Sequence, residues 1–524
     1  MTIESTTFSR IAIVFSGVLL AGYICVQTLL SKGSILGELY LYVAVGAFLL
    51  GLFSPRASIF ALILCTAYID FFKRLMVLGG NPDFFDVACS LATPPLLCAG
   101  SVINLTLSLL VGKKKLSKEI ILTFLIATTF FLFSLLSMNE TNSARGVGGL
   151  ANGAAYPYLM LLIPAYFPNT ADKLKLIRWI YICFIGVALY MFKHYFWGLA
   201  GFEIDYLNTN LSLEARILNE DSEVRRCFST MNGAGIVSTM CALMFFWSFV
   251  SIEKASALKV FLRWTCALIY ATAAFFTLSR TGWICGLVGL VAILLFRNFK
   301  ITVLSYIVAI SLIVALVALS PVIMDMNLLS DVERELKHFL GVDGILGETV
   351  TTLGTFNGRL LGWKNLMTKS IMWTPFGWKM AGLDVTKFNP LDLGDDTIVW
   401  SLIKYGYIPF FVGGAFILYF LLKLHKFICS LPMGSKERNI GNLCLATIVG
   451  ILFGGLGNGA QLAVFPLNVY LFMCMAFVFS LYTNRNSYKQ VEYDSEEANH
   501  MSLGASRHAS RLVPPQAARV TSTI

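Results

Sequence analysis

Four short stretches carry residues whose types and spacing could do chemistry. The first is Glu223-Val-Arg225-Arg226-Cys227-Phe-Ser-Thr-Met-Asn232. The second is Ser279-Arg280-Thr281-Gly282-Trp283. The third is Asn357-Gly358-Arg359, followed by Trp363 and Lys364, and the fourth is Asp392-Leu-Gly394-Asp395-Asp396-Thr397, followed by Lys404, Tyr405 and Gly406. Two or three guanidinium groups together can clamp a diphosphate through bidentate, charge-assisted hydrogen bonds. A nearby carboxylate can take a proton from a sugar hydroxyl. Diphosphate is a good leaving group, and arginine stabilises the negative charge it develops. Such a reaction needs neither metal nor nucleotide, so no cofactor is expected. The substrate this chemistry suggests is a glycan joined to a lipid through a diphosphate.

The absences point the same way. There is no GxxxxGK[ST], no HExxH and no Cys/His cluster. Of the five His, only His194 and His338 could face outward. Each candidate also has a plainer reading. Arg225 and Arg226 can be solvated loop charges, and Arg359 a surface-helix arginine. Arg280 can snorkel to the interface, although a charge between two close spans is costly unless partnered. Asp395 and Asp396 can cap the helix expected near 397. Lys404 is either a carboxylate's partner or a snorkelling side chain. Asp70 and Lys193 read as interfacial.

The elements that must position these residues are membrane spans. The chain has 524 residues, of which 57% are apolar and 13% charged, with a mean hydropathy of +0.72. A soluble chain has about 25% charged residues, so a cytosolic globular protein is excluded. Apolar runs long enough to cross a hydrocarbon core of about 30 Å recur from end to end. They are too long and too evenly apolar for a transmembrane β-barrel. The fold expected is an all-α polytopic membrane protein with about fourteen spans, twelve to fourteen allowing for the short runs at 57–72 and 264–278. The spans are read at 11–30, 35–53, 57–72, 87–111, 119–137, 150–167, 178–198, 233–251, 264–278, 281–296, 301–322, 398–422, 440–457 and 461–482.

The charges orient this array. With the N-terminus inside, the short inner loops hold seventeen Lys and Arg, and the short outer loops hold only Lys32, Lys73, Arg74, Arg145 and Arg280. That bias puts both termini in the cytoplasm and explains the net charge of +10 without a nucleic-acid partner. The twelve Cys lie mostly in apolar runs, so no disulfide framework is implied. The domain expected is 1–482, including outer loops 199–232 and 323–397. The second of these is large and partly helical: Ser330 and Glu333 have capping-box spacing, ahead of Val332, Leu336, Phe339 and Leu340 on one helix face. Residues 483–524 read as a disordered cytoplasmic tail.

In order, the four stretches resemble the O-antigen ligase and polymerase superfamily of bacterial inner membranes. Arg226 to Asn232 resembles its arginine–glycine–asparagine segment opening a span. Ser279 to Trp283 resembles its Ser-Arg-Thr/Ser-Gly-Trp motif. Asn357-Gly358-Arg359…Trp363 resembles the Gly-Arg…Trp stretch of its large periplasmic loop. Gly394 to Gly406 resembles a segment where members usually carry His-Asn; here Asp395 stands at the His and Asp396 at the Asn. The resemblance implies a metal-independent, GT-C-like glycosyltransferase whose donor is a glycan on undecaprenyl diphosphate. It assigns Arg280 and Arg359 to the diphosphate, Asp395 and Asp396 to the base position, and Arg225, Arg226, Trp363 and Lys364 to substrate binding. The Asp for His exchange favours a polymerase for exopolysaccharide, capsule or O-antigen over a ligase acting on lipid A core. A flippase or transporter, or a structural partner in an export complex, are competing readings. A chain-length regulator or export machinery would be a partner.

Overall fold

The computed structural model describes residues 35–112, 117–136, 155–209, 227–250, 256–277, 279–296, 373–377, 402–403, 406–455 and 465–485. Among them there is no strand. The helices are α1 (Ile35–Phe53), α2 (Pro55–Leu75), α3 (Phe84–Leu110), α4 (Lys118–Leu136), α5 (Leu159–Tyr166), α6 (Thr170–Trp197), α7 (Gly201–Leu207), α8 (Ala234–Trp247), α9 (Ala257–Phe276), α10 (Arg280–Phe296), α11 (Tyr407–Ser430), α12 (Lys436–Gly455) and α13 (Leu467–Thr483). Four of them, α3, α6, α9 and α11, are long and apolar enough to cross a membrane. Each expected span from 35–53 onward, except 301–322, overlaps a described helix. The expected spans at 11–30 and 301–322, the helices of the 323–397 loop and the tail beyond Arg485 lie outside the described residues.

Local chemistry sets several boundaries. Pro55 opens α2, where its missing N–H costs nothing. Asp83 caps α3 in a reciprocal box: Asp86 N donates to Asp83 Oδ1 at 2.8 Å, and Asp83 N to Asp86 Oδ2 at 3.0 Å. The run expected at 150–167 is shorter as a helix. A 3₁₀ turn at Tyr156–Tyr158 precedes the eight residues of α5, which contain Pro164. The run expected at 398–422 is interrupted: residues 402–403 are helical, Gly406 N donates to Leu402 O at 2.9 Å, and α11 begins at Tyr407. Gly406 has φ +85°, and the next two amides donate to another segment, Tyr407 N to Thr374 O at 3.0 Å and Ile408 N to Pro375 O at 3.2 Å. A Cβ at Gly406 would collide with the backbone of Pro375 and Gly377.

Lateral packing relies on small residues, as expected where lipid offers no hydrophobic contrast. The helices α1 and α3 meet at Gly51 and Gly100. A Cβ at Gly51 would lie 2.5 Å from the Leu97 carbonyl oxygen, and one at Gly100 would overlap that of Phe48. On α10, Gly282, Gly286 and Gly289 face Ser238, Ala242 and Phe246 of α8. Gly450 of α12 closes on Cys285 and Gly289 from another side. Buried polar side chains join the bundle: Trp247 Nε1 donates to Thr447 Oγ1 at 2.8 Å, and Thr66 pairs with Tyr470. In contrast, α11 presents Phe411, Val412, Leu418 and Tyr419 outward.

Contacts between helix ends fall into two sets. At one end, Arg56 donates to Tyr166 O (2.9 Å) and pairs with Asp172 (3.8 Å). Thr170 donates to Glu437 (2.9 Å), Asn484 to Pro168 O (3.1 Å), and Arg485 pairs with Glu119 (3.3 Å). At the other end, Arg74 meets Glu203, Ser229 and Met231. Helices that alternate in direction produce this sorting. On α6, Lys173 and His194 belong to opposite ends; 21 residues at 1.5 Å each put them about 32 Å apart, roughly a hydrocarbon thickness.

Candidate functional site

The Arg74 end holds the densest group of buried charges among the described residues. Four elements build it. Helix α2 continues past the expected end of its span to deliver Asp70, Lys73 and Arg74. Helix α6 delivers Tyr190, Lys193 and His194. The short α7 delivers Glu203, and the turn 227–233 leads into α8. Arg74 and Glu203 have side chains with no exposed surface.

Arg74 donates from all three nitrogens of its fork. Nη1 donates to Glu203 Oε1 at 2.5 Å, and Nε to Asp70 O at 3.1 Å. Nη2 donates to Ser229 O at 2.7 Å and to Met231 O at 3.0 Å. The Phe228 ring covers the guanidinium at 4.8 Å, a cation–π placement. Ser229 has φ +51°, a region sparsely populated by non-glycine residues. Its hydroxyl donates to Val187 O at 2.6 Å, and Thr230 Oγ1 donates to Ala67 O at 2.7 Å. The turn is therefore tied to α2 and α6 on both sides.

Glu203 accepts from His194 Nε2 at 2.9 Å, Ala200 N at 2.9 Å, Tyr190 OH at 3.2 Å and Lys193 Nζ at 3.4 Å, besides Arg74. Burial pushes its carboxyl pKa up. The His194 hydrogen bond and charge, the Ala200 amide and Arg74 outweigh that and bring it down to about 2. With Nε2 turned to a carboxylate, the His194 ring carries its proton there. Its Nδ1 is buried without a partner among the described residues. The ring, wedged between Tyr190 and Phe228, is 2% exposed and does not reach solvent. Lys73 pairs with Asp70 at 3.1 Å and lies over Tyr206. This arrangement holds backbone in place; its carboxylate is too heavily bonded to shuttle protons.

The second stretch is a tight helical hairpin. Helix α9 ends at Phe276 and α10 begins at Arg280. Ser238 of α8 donates to Ser279 O at 3.2 Å and to Ala274 O at 3.3 Å. Trp283 Nε1 donates to Ala274 O at 3.1 Å, and its ring stacks on Phe275. A Cβ on Gly282 would overlap Ser238. Within Ser279–Trp283, the glycine and tryptophan are thus packing requirements, and Arg280 opens the helix at that end.

Of the residues expected at the site, Arg280 alone is described. Arg225 and Arg226 lie outside the described residues, immediately before Cys227. Arg359, Trp363, Lys364, Asp395 and Asp396 also lie outside them, as does Lys404. Sequence reasoning missed Arg74 and Glu203. It also placed Asp70 at the interface, whereas it is 4% exposed and ion-paired inside the protein. The available signal was three charges, Asp70, Lys73 and Arg74, at the end of an apolar run; charges there face a protein interior or a polar cavity. Among the described residues, no group of His, Cys, Asp or Glu is arranged to hold a metal.

Fold and site together define a helical membrane protein with ionic side chains buried at one end of its bundle. No family model, curated protein or solved structure matches the chain.

Proposed function

We propose that the protein is a polysaccharide polymerase of the bacterial inner membrane. It transfers a glycan from undecaprenyl diphosphate to a lipid-linked repeat unit at the periplasmic face, without metal. In this reading the chain has fourteen spans in a GT-C-like arrangement, both termini are cytoplasmic, and the Arg74 end is the periplasmic end. Arg280 and Arg359 hold the diphosphate with help from Arg225 and Arg226. Trp363 and Lys364 contact the glycan, and Asp395 or Asp396 takes the proton of the acceptor hydroxyl.

One observation carries the reading furthest. Two of the four stretches, some fifty residues apart in sequence, are neighbours at the same end of the bundle. The turn 227–233 opens α8, and Ser238, in the second turn of α8, bonds the Ser279 carbonyl beside Arg280. Guanidinium groups on adjacent helix ends are what a diphosphate clamp requires.

The test is the lipid-linked glycan profile of a deletion strain complemented with Arg280→Ala. Accumulation of single repeat units, with the variant present in the membrane at normal abundance, is the expected result. Normal long-chain polymer would overturn the reading. Long chains retained on the lipid, with unmodified lipid A core, would assign ligation instead, and units trapped on the inner leaflet would assign transport.

A further inference from the structure

We infer that the Arg74 end carries a lipid-binding collar: Leu78, Phe84, Phe85, Trp197 and Ile204 seat it in the headgroup layer of one leaflet.

The collar continues the outward face of a span. Helix α6 is one of the four helices long and apolar enough to cross a membrane. Its exposed large apolar residues are Ile182, Leu189, Phe196 and Trp197. The first three are spaced by seven, a step that drifts only about 20° around a helix, so they form one outward stripe. Trp197, 77% exposed, ends both the stripe and the helix. Gly198 then turns the chain with φ +73°. Its amide donates to His194 O at 3.1 Å, and its carbonyl accepts from Lys193 Nζ at 2.8 Å.

The other members of the collar belong to one small unit. The 3₁₀ turn Met76–Gly79, the first turn of α3 and α7 share a core of Met76, Val87 and Tyr206. Phe202 of α7 also packs on Phe71 of α2, with ring centroids 5.9 Å apart. Leu78, 65% exposed, Phe84, Phe85 and Ile204 form the outside of this unit. The backbone there needs little water, because Asp83 and Asp86 close the start of α3 on each other. An apolar outer surface of this kind marks an interaction site. Acyl chains alone do not suit it: Asp205 is exposed beside Ile204, and a charge in hydrocarbon is costly. The layer that takes aromatic rings together with charge is the headgroup boundary, where Trp concentrates. His194, which holds Glu203, precedes Trp197 by three residues, about 4.5 Å along the axis. The buried ions therefore lie at the depth where hydrocarbon gives way to headgroups.

The experiment places the full-length protein, with fluorotryptophan at its nine Trp, in phosphatidylcholine nanodiscs and reads it by fluorine NMR. The resonance missing from Trp197→Phe is that of Trp197; the remaining resonances, unmoved, show that this variant keeps its fold. Leu78→Trp adds a second reporter on the 3₁₀ turn. Three relaxation agents are compared: a lipid nitroxide beside the headgroup, a lipid nitroxide at the chain end, and a water-soluble gadolinium chelate. We expect the headgroup nitroxide to broaden both reporters most, to the point of losing their signals. Strongest broadening by the chelate would put this end in water and overturn the collar. Strongest broadening by the chain-end nitroxide would bury it in the bilayer core and overturn it equally. Reporters that no agent reaches are covered by protein, a second copy included, and that too rejects the lipid surface. Different responses at Trp197 and Leu78→Trp would show that the two do not share one level.

Discussion

The two ends of the bundle treat their acid–base pairs in different ways. At the Arg56 end the pairs lie at the surface, and the buried cation there, Lys173, is held by a backbone carbonyl, Pro168 O at 2.6 Å. Arg56 is 60% exposed and lies 3.8 Å from Asp172, Lys175 is 67% exposed, and Arg485 meets Glu119 at 3.3 Å. At the Arg74 end, Arg74 and Glu203 have no exposed surface and share ligands drawn from α2, α6, α7 and the 227–233 turn. Surface ions can orient a span through their distribution and need no fixed partner to do it. Buried ions survive only if every direction is satisfied, so they specify geometry. The difference separates charges that set topology from charges that set a shape.

Several substitutions would break or sharpen that contrast. The largest effect belongs to Glu203→Ala, which leaves Arg74 buried without its carboxylate. We expect a loss of about 3–5 kcal/mol, read as thermal unfolding in detergent. A shift no larger than that of Arg56→Ala would erase the distinction between the ends.

Acid should reproduce part of that loss. Glu203's carboxyl is held at about 2 in the folded protein, against an ordinary value of 4.5. A lowered folded pKa contributes stability that is complete above the ordinary value and disappears as pH falls through the folded one. Unfolding temperature should therefore drop between about pH 4.5 and 2, and Glu203→Gln should flatten that part of the profile. Parallel profiles for the two proteins would exclude Glu203 as the source.

Next in size is the helix contact beneath the Ser279–Trp283 hairpin. Gly282→Ala forces a methyl group into Ser238, and overpacking of this kind costs about 1–3 kcal/mol. Gly414→Ala on α11, where nothing lies within 4 Å, is the control and should gain up to about 1 kcal/mol from helix propensity. Equal responses at the two glycines would argue against a close α8–α10 approach. The smallest effects are Arg56→Ala and Arg485→Ala, each within about 1 kcal/mol by the same unfolding measurement. A larger loss at either would mean that the exposed end is also a built structure.

The helices were legible because apolar length is written locally. The run at 35–53 matches α1 residue for residue, and the break at Ser279–Arg280 falls where α9 gives way to α10. The boundaries that moved did so for reasons outside their own segments. Helix α2 continues to Leu75 because Lys73 and Arg74 find partners inside the protein, whereas the expected span stops just short of them. The 398–422 run breaks ahead of α11 where Gly406 docks on Pro375 and Gly377. Lateral partners were not legible at all. A helix that is apolar all round has no amphipathic face to read, and nothing near Arg74 in sequence announces Glu203. Of the four chemical stretches, packing accounts for Gly282, Trp283 and Gly406.

The distance along the chain between Arg74 and Glu203 has a consequence for how the protein is made. The pair is separated by 129 residues. Asp70 and Lys73 can neutralise each other within one helical turn as soon as α2 forms, but Arg74 has no acidic partner until α7 leaves the ribosome. At 5–20 residues per second that interval is on the order of 10 s. During it, a helix destined for a protein interior carries an uncompensated cation. The buried pair can therefore close only after α6 and α7 have followed. Assembly of this end of the bundle is thus staged, completed by a carboxylate translated long after the helix that carries its arginine.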